Sequence, residues 1–264
     1  MGCAGSRKLP QIVLFGDSLT QWGFDAATQG FGWHLENVYE GKAEIVNEVV
    51  TTSYTSNYIQ REFTRLISQL TSASAQPTLL FTIFLGANDA CFVGKTEYVP
   101  LPRFSDNIRG FVEEILIRDE LPRTKIVLIT PPPIDIPEAL PDDVVGPWAA
   151  NEDPKSEKGY RTYVSYLHGQ LSIVGEYADT GRVIGLDYWG ALIDAGLEEQ
   201  GRSEDRGVDE KLPGCGLQGA REFGKGWFTD GLHLDVKAYN VLSKSLMDAV
   251  VGKWPELSPE RIAA

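Results

Sequence analysis

The sequence predicts an α/β fold in which helices cover both faces of a five-stranded parallel sheet. Three observations support this expectation: the chain length, the composition, and the alternation of short apolar runs with amphipathic stretches. The chain has 264 residues, of which 42% are hydrophobic and 23% are charged, and this suits one large domain with a sizeable core. Short apolar runs between helical segments are typical of parallel strands that are buried on both faces.

Each element follows from the spacing of its apolar residues. The strand candidates are the apolar runs at residues 12–15, 43–46, 78–85, 125–129 and 182–186. Apolar residues recur at helical spacing in the stretches 59–70, 104–115, 160–174 and 239–250. The sequence therefore predicts strands that alternate with helices along the chain. Two longer stretches rich in proline, glycine or charge are predicted to be irregular loops that wall or cover a site: residues 131–153 and 189–226.

The composition excludes some partners and locations. The formal net charge of -13 would repel phosphate backbones, so nucleic acid is not an expected partner. Cys3, Cys91 and Cys215 are an odd number at unrelated spacings, which indicates neither a disulfide framework nor a metal knuckle. No stretch has the character of a secretory signal or of a membrane span. We therefore expect an intracellular, cytoplasmic protein.

The N-terminus carries a separate signal. We expect residues 11–254 to form the domain, between a flexible N-terminus at 1–10 and a C-terminal tail at 255–264. The start of the chain matches the pattern for myristoylation of Gly2, and the neighbouring Cys3 is a candidate for palmitoylation. Two acyl chains hold a protein to a membrane where one does so only marginally. The sequence leaves open a membrane-associated, dually acylated terminus and an unmodified flexible one.

A serine and a histidine at opposite ends of the chain are the candidate catalytic pair. Ser18 directly follows the first predicted strand, and a serine hydroxyl needs a base to become a nucleophile. His34 and His168 lie in segments that read as structural, whereas His233 has Asp230 close by in a loop. Asp230 would orient the imidazole and stabilise its cation. The alternative interpretation is a turn at Ser18 and a helix-start hydrogen bond between Asp230 and His233.

A third polar group follows the predicted central strand. The segment Gly86-Ala87-Asn88-Asp89 ends that strand, and the Asn88 amide could donate to the oxyanion that forms in acyl transfer. The alternative is an ordinary turn. Because parallel strands place their carboxyl ends at one edge, Ser18 and Asn88 should lie near each other. Apolar residues of the neighbouring loops are candidates for an acyl or alcohol pocket: Phe92, Val93, Ile134, Ile136 and Trp148.

These blocks resemble those of the SGNH hydrolases, the GDSL lipase and esterase superfamily, over nearly the whole chain. The blocks at residues 15–20, 86–89 and 230–234 occur in the family's order, and the segments around 99–107 and 129–133 are similar to the isoamyl acetate-hydrolysing esterases. The resemblance implies a flavodoxin-like three-layer α/β/α sandwich and hydrolysis of a small-molecule ester without metal or cofactor. It implies a triad of Ser18, Asp230 and His233. It also implies an oxyanion hole made of the Ser18 N–H, an N–H from a second block, and the Asn88 side chain.

The second block departs from the family pattern, because the chain has no glycine between Gly41 and Gly86. The backbone N–H of Thr52 or Ser53 would then have to donate, with a side chain crowding the site. Loss of one oxyanion donor lowers turnover on the order of a hundredfold to a thousandfold.

The predicted oxyanion-binding and substrate-binding residues are Ser18, Asn88, Thr52, Ser53, Asp17 and Gly86. Besides ester hydrolysis, the sequence leaves two other functions open. One is an acyltransferase that uses the same triad, and the other is a catalytically impaired binding protein. A flavin or nucleotide binder is disfavoured, because no phosphate-cradling run of glycines follows the first strand.

Overall fold

Five parallel strands form one sheet in the order β2-β1-β3-β4-β5. The computed structural model describes residues 8–49, 54–91, 95–135, 170–208, 211–216 and 220–262. The strands are β1 (Gln11–Gly16), β2 (Glu44–Val49), β3 (Thr78–Phe84), β4 (Lys125–Ile129) and β5 (Val183–Leu186). Every pairing between neighbours is parallel. The predicted α/β class and five-stranded parallel sheet are confirmed, and the strand order is that of flavodoxin-like folds.

Helices connect the strands. They are α1 (Ser18–Gln21), α2 (Phe31–Val38), α3 (Gln60–Leu70), α4 (Leu101–Leu116), the helical residues 170–176 (α5), α6 (Tyr188–Glu199) and α7 (Val236–Lys253). The helices predicted at 59–70, 104–115 and 239–250 are confirmed. The helix predicted at 160–174 lies mostly outside the described residues. None of the helices in the described ranges is both long enough and apolar enough to cross a bilayer.

The prediction of an irregular loop over residues 189–226 is wrong at its start, where α6 forms. The Asp187 side chain caps this helix by accepting a hydrogen bond from the Gly190 N–H at 2.9 Å. Gly190 and Gly196 lower helix propensity and obscured the apolar spacing. A Cβ at Gly196 would lie 2.6 Å from the ring of Phe223, so the glycine permits close packing of α6 against the core.

Two apolar cores lie on opposite faces of the sheet, because successive strand residues point to alternate sides. Ile12 and Leu14 of β1 face the core formed with α2, α6 and α7. Val13 and Phe15 of the same strand face the core formed with α3, α4 and α5. The molecule therefore has three layers, as the family resemblance implied.

The topology fixes where a site can form. From β1 the chain passes to β2 at one side and then crosses back to β3 at the other side. The carboxyl ends of β1 and β3 lie side by side, with Gly16 in register with Phe84. Such a switch point opens a crevice at the carboxyl edge of the sheet.

At the amino ends of the strands, opposite the crevice, Arg182 holds several segments together. Its guanidinium donates hydrogen bonds to the backbone carbonyls of Thr124, Leu116 and Leu121 at 3.0, 3.3 and 2.6 Å. These contacts tie the end of α4 and the turn before β4 to the start of β5. Burial lowers the pKa of this arginine from its ordinary value.

Candidate active site

Ser18 lies at the carboxyl end of β1, as the first residue of α1. Asp17 caps the helix, with its Oδ1 accepting a hydrogen bond from the Leu19 N–H at 3.0 Å. A Cβ at Gly16 would lie 2.1 Å from the Thr20 hydroxyl and 2.5 Å from a backbone oxygen of β3. The strand can therefore turn into the helix only with glycine at position 16, and this tight turn places the Ser18 hydroxyl in the crevice.

His233 reaches Ser18 from a loop near the other end of the chain. The His233 Nε2 lies 3.0 Å from the Ser18 Oγ, and the His233 Nδ1 lies 2.7 Å from the Asp230 Oδ2. The loop is a short turn closed by an antiparallel bridge between Phe228 and Leu234. The structure therefore brings the three sequence-predicted residues Ser18, His233 and Asp230 together in one continuous line of contacts.

The carboxylate of Asp230 is held by its own loop. Its Oδ1 accepts hydrogen bonds from the backbone N–H groups of Leu232 and His233 at 3.0 and 2.8 Å. Partial burial alone would raise the pKa of Asp230, but these N–H groups and the imidazole outweigh it and hold the pKa below its ordinary value. Asp230 is thereby kept ionised at neutral pH.

The turn that carries Asp230 and His233 is fastened to the segment that follows β4. Gly231 has a φ of 90°, and its carbonyl accepts a hydrogen bond from the Asp135 N–H at 2.8 Å. The Asp135 Oδ1 in turn accepts from the Phe223 N–H at 2.9 Å. Burial, together with the nearby Glu222, raises the pKa of Asp135 to about 6. Asp135 was not predicted as a site residue, and the apolar run of β4 gives no sign of this role.

Asn88 lies at the carboxyl end of β3, beside the end of β1. Gly86, with a φ of 118°, turns the chain out of the strand, and its carbonyl accepts from the Ala90 N–H at 3.0 Å. The Asn88 Nδ2 donates to the Tyr54 carbonyl at 3.0 Å. An amide nitrogen carries two hydrogens, so this bond fixes the orientation of the side chain while engaging one of them.

A buried polar network holds this part of the site. The Asp89 carboxylate accepts from the Ser56 N–H at 3.0 and 3.1 Å and from its hydroxyl at 2.5 Å. The Asn107 amide donates to the Ser56 Oγ and to the Asn57 Oδ1, each at 2.8 Å. Burial raises the pKa of Asp89 to about 6, against the effect of the Ser56 hydrogen bonds. Ser56 was missed in the sequence, where it reads as an ordinary residue before α3.

Asp17 adds a second buried acid beside the nucleophile. It is 1% exposed, and in the part of the chain that the structure describes its Oδ2 has no hydrogen-bond partner. Burial, and to a smaller extent the charge of Asp89, raises the pKa of Asp17 to about 7. Two neighbouring carboxyl groups whose ionisation is suppressed therefore lie under the site.

Some predicted residues lie outside the described ranges. They are Thr52 and Ser53 of the second block, Phe92, Val93, Ile136 and Trp148 of the predicted pocket, and Gly2 and Cys3 of the N-terminus. Ile134, the remaining pocket candidate, is partly buried and packs against the core on the α6 and α7 face.

Trp22 is a further site residue that the sequence did not reveal. It follows α1, four positions after Ser18, and its indole stacks on the His233 imidazole with ring centroids 3.8 Å apart and planes 24° apart. Its proximity to the nucleophile in sequence was the available signal. The contact with a loop more than 200 residues away in the chain was not readable without the fold.

With this geometry in place, comparison with known proteins defines the class. A profile of the GDSL-like lipase/acylhydrolase family matches residues 12–246, and the chain belongs to this family. It is a carboxylic ester hydrolase of the GDSL type.

Individual relatives cover almost the whole chain. A GDSL esterase/lipase of Arabidopsis thaliana is 29% identical, over 96% of this chain and 89% of its own. The isoamyl acetate-hydrolyzing esterase of Saccharomyces cerevisiae is 27% identical, over 96% and 90%, and a mouse homolog of that esterase is 28% identical, over 97% and 89%.

Solved structures share the fold. The native aryl esterase of M. smegmatis superposes with a TM-score of 0.53 at 17% identity, covering 92% of this chain and 99% of its own. An alpha/beta hydrolase enzyme from the metagenome of Lake Arreo superposes with a TM-score of 0.59 at 13% identity, covering 98% and 99%.

Proposed function

We propose that this protein hydrolyses a small or medium carboxylic ester through an acyl-enzyme intermediate, with Ser18 as nucleophile, His233 as general base and Asp230 as the residue that orients the base. The observation that carries the proposal is the line of contacts from the Ser18 Oγ through the imidazole to the Asp230 carboxylate, at 3.0 and 2.7 Å. Each distance lies within hydrogen-bond reach.

The geometry supports the following first half-reaction. The His233 Nδ1–H donates a hydrogen bond to Asp230, so the Nε2 lone pair faces the Ser18 hydroxyl. The Ser18 Oγ forms a bond to the ester carbonyl carbon as its proton passes to His233. The tetrahedral intermediate then collapses, the bond to the alcohol oxygen breaks, and the alcohol leaves with that proton.

Water completes the cycle. It attacks the acyl-enzyme as His233 takes one of its protons, and the bond between the acyl carbon and the Ser18 Oγ then breaks as His233 returns the proton to that oxygen. In both steps negative charge develops on the former carbonyl oxygen. The Ser18 N–H, the second Asn88 amide hydrogen and an N–H of Thr52 or Ser53 are the proposed donors to that oxygen.

The substrate class follows from the relatives as a proposal. The yeast and mouse relatives are named for hydrolysis of isoamyl acetate, a short acyl group on a branched alcohol. We therefore propose short-chain esters of small alcohols as substrates, and isoamyl acetate and nitrophenyl acetate as the first compounds to assay.

A fluorophosphonate probe tests the proposal directly. The wild-type protein should react covalently with the probe and hydrolyse the esters, and Ser18→Ala should abolish labelling and lower turnover by roughly a millionfold, to background. Ser243→Ala is a matched control: Ser243 is also buried, on α7, and its hydroxyl has no partner within the described ranges. This control should leave labelling and turnover unchanged.

The outcomes separate the alternatives. Unlabelled wild-type protein without hydrolysis would favour the impaired binding protein, and label retained in Ser18→Ala would place the nucleophile elsewhere. Adding an alcohol to one ester and measuring the new ester against the free acid distinguishes a transferase from a hydrolase. A product dominated by the new ester at low alcohol concentration would overturn hydrolysis as the main reaction.

A further inference from the structure

An aromatic side chain lies flat against the proposed general base. The Trp22 indole covers one face of the His233 imidazole, with ring centroids 3.8 Å apart. Trp22 is 38% exposed, whereas the His233 side chain is 12% exposed. The indole is therefore a cover between the imidazole and solvent, with its outer face open to water.

The position of Trp22 is fixed by the same turn that carries the nucleophile. Its backbone N–H caps the end of α1 by donating to the carbonyls of Ser18 and Thr20. The Ser18 hydroxyl and the indole thus approach His233 from one rigid helical turn, one at the ring edge and the other at the ring face. With Asp230 on the opposite ring nitrogen, the imidazole is restrained at both edges and on one face.

This arrangement matters most when His233 is charged. In both half-reactions the imidazole holds an extra proton while the tetrahedral intermediate exists. A cation over the face of an indole is attracted by the ring's quadrupole, and tryptophan is the strongest partner among the aromatic side chains. An attraction that grows with the charge is larger in the transition state than in the resting enzyme, and such interactions accelerate the chemical step.

We propose that Trp22 is a positioning residue that holds the His233 ring in line and stabilises its protonated form during ester hydrolysis. This inference rests on the proposed triad. Asp230 is the charged group that the described residues place on the ring, and Asp17 and Asp89 are the buried acids beside the nucleophile. All three are unchanged in the variants below. Any difference between them therefore reports the residue at position 22.

The test compares Trp22→Leu and Trp22→Phe with the wild type. Leucine keeps an apolar cover over the imidazole but has no aromatic face, and phenylalanine has a weaker one. For Trp22→Leu, we expect kcat to fall roughly threefold to tenfold and the acid limb of the rate profile to move to lower pH by about 0.5 to 1 unit. Trp22→Phe should lie between the two. Trp33→Leu, on α2, is the matched control and should leave the profile unchanged.

The direction of the shift separates the possible roles of Trp22. If the indole served only to exclude water, its loss would let water stabilise the cation, and the acid limb would move to higher pH. If it were only a wall of the substrate pocket, KM would change and the acid limb would stay in place. Either result would overturn the inference.

A readout without turnover keeps the inference distinguishable from the proposed function. The chain has three histidines, so the His233 ring signal can be assigned in NMR spectra by its loss in His233→Gln. Its titration midpoint should be lower by about 0.5 to 1 pH unit in Trp22→Leu. An unchanged midpoint in a folded variant, with hydrolysis that still depends on Ser18, would refute the role of Trp22 alone. Hydrolysis that survives Ser18→Ala would refute the triad.

Discussion

Replacing Asp17 by asparagine should remove a large pH-dependent contribution to the stability of the fold. Asp17 is 1% exposed, and in the described part of the chain its Oδ2 has no partner. Burial first, and the charge of Asp89 next, raise its pKa from 3.8 to about 7. Asparagine keeps the Oδ1 that accepts from the Leu19 N–H and carries no charge, so the helix cap should be retained.

The sign and size follow from proton linkage. The pKa of Asp17 is raised in the folded state, so its contribution to stability is fully present below the unfolded value and is lost as the pH rises through about 7. At 1.36 kcal/mol per pH unit, the wild type should lose about 3 kcal/mol through this group between about pH 5 and about pH 8. Relative to the wild type, Asp17→Asn should gain that amount over the same interval.

Urea unfolding at several pH values measures this difference. Asp25→Asn is a matched control, because Asp25 makes the same local contact, accepting from the Ala27 N–H at 2.8 Å, on the exposed surface. Its stability should follow the wild type at every pH. The reasoning would be refuted if the free-energy difference between Asp17→Asn and the wild type were constant from about pH 5 to about pH 8.

Three further substitutions test how the site and fold are held. Gly231→Ala places a Cβ 2.9 Å from the Asp135 carbonyl at a φ of 90°, so kcat/KM should fall about tenfold or more as the His233 turn shifts. Gly201→Ala has similar backbone strain but open space, and steady-state kinetics should show unchanged activity. Asn107→Leu removes one buried and one partly buried hydrogen bond and should lower the free energy of unfolding by about 1–3 kcal/mol and also lower kcat. Arg182→Lys cannot reach all three carbonyls. It should lower the melting temperature with unchanged kcat at 25 °C, and an unchanged melting temperature would contradict this account.

The sheet was predictable because its strands are buried on both faces and so appear as continuous apolar runs. Three of the helices between and after them show clear apolar spacing. Helix α6 was missed, because Gly190 and Gly196 resemble loop residues. Each glycine makes room for a neighbouring side chain: a Cβ at position 190 would lie 2.4 Å from the capping Asp187 carboxylate, and one at position 196 would lie 2.6 Å from the Phe223 ring.

The polar residues at strand ends were predictable for a topological reason. Parallel strands bring Ser18 and Asn88 to one edge, and a loop before the last helix can supply His233. The residues that hold these side chains in place were not predictable, because their role depends on contacts between segments that are distant in the sequence. The Trp22 ring stacks on His233, and Asp135, in the segment after β4, donates its N–H to the Gly231 carbonyl. Neither contact leaves a local pattern in the sequence.

The network around Asn88 supports the proposed role of this residue as an oxyanion donor in a chain whose second block has no glycine. Asn88 donates to the Tyr54 carbonyl, Ser56 lies two residues beyond Tyr54, and Ser56 binds Asp89, which is the neighbour of Asn88. The Asn88 amide therefore cannot turn without breaking its hydrogen bond to the Tyr54 carbonyl. The buried, charge-assisted contact between Ser56 and Asp89 holds the segment that carries this carbonyl. Preorganised donors give the largest electrostatic stabilisation, and the hydrogen bond to the Tyr54 carbonyl gives Asn88 the fixed orientation that the proposed donor role requires.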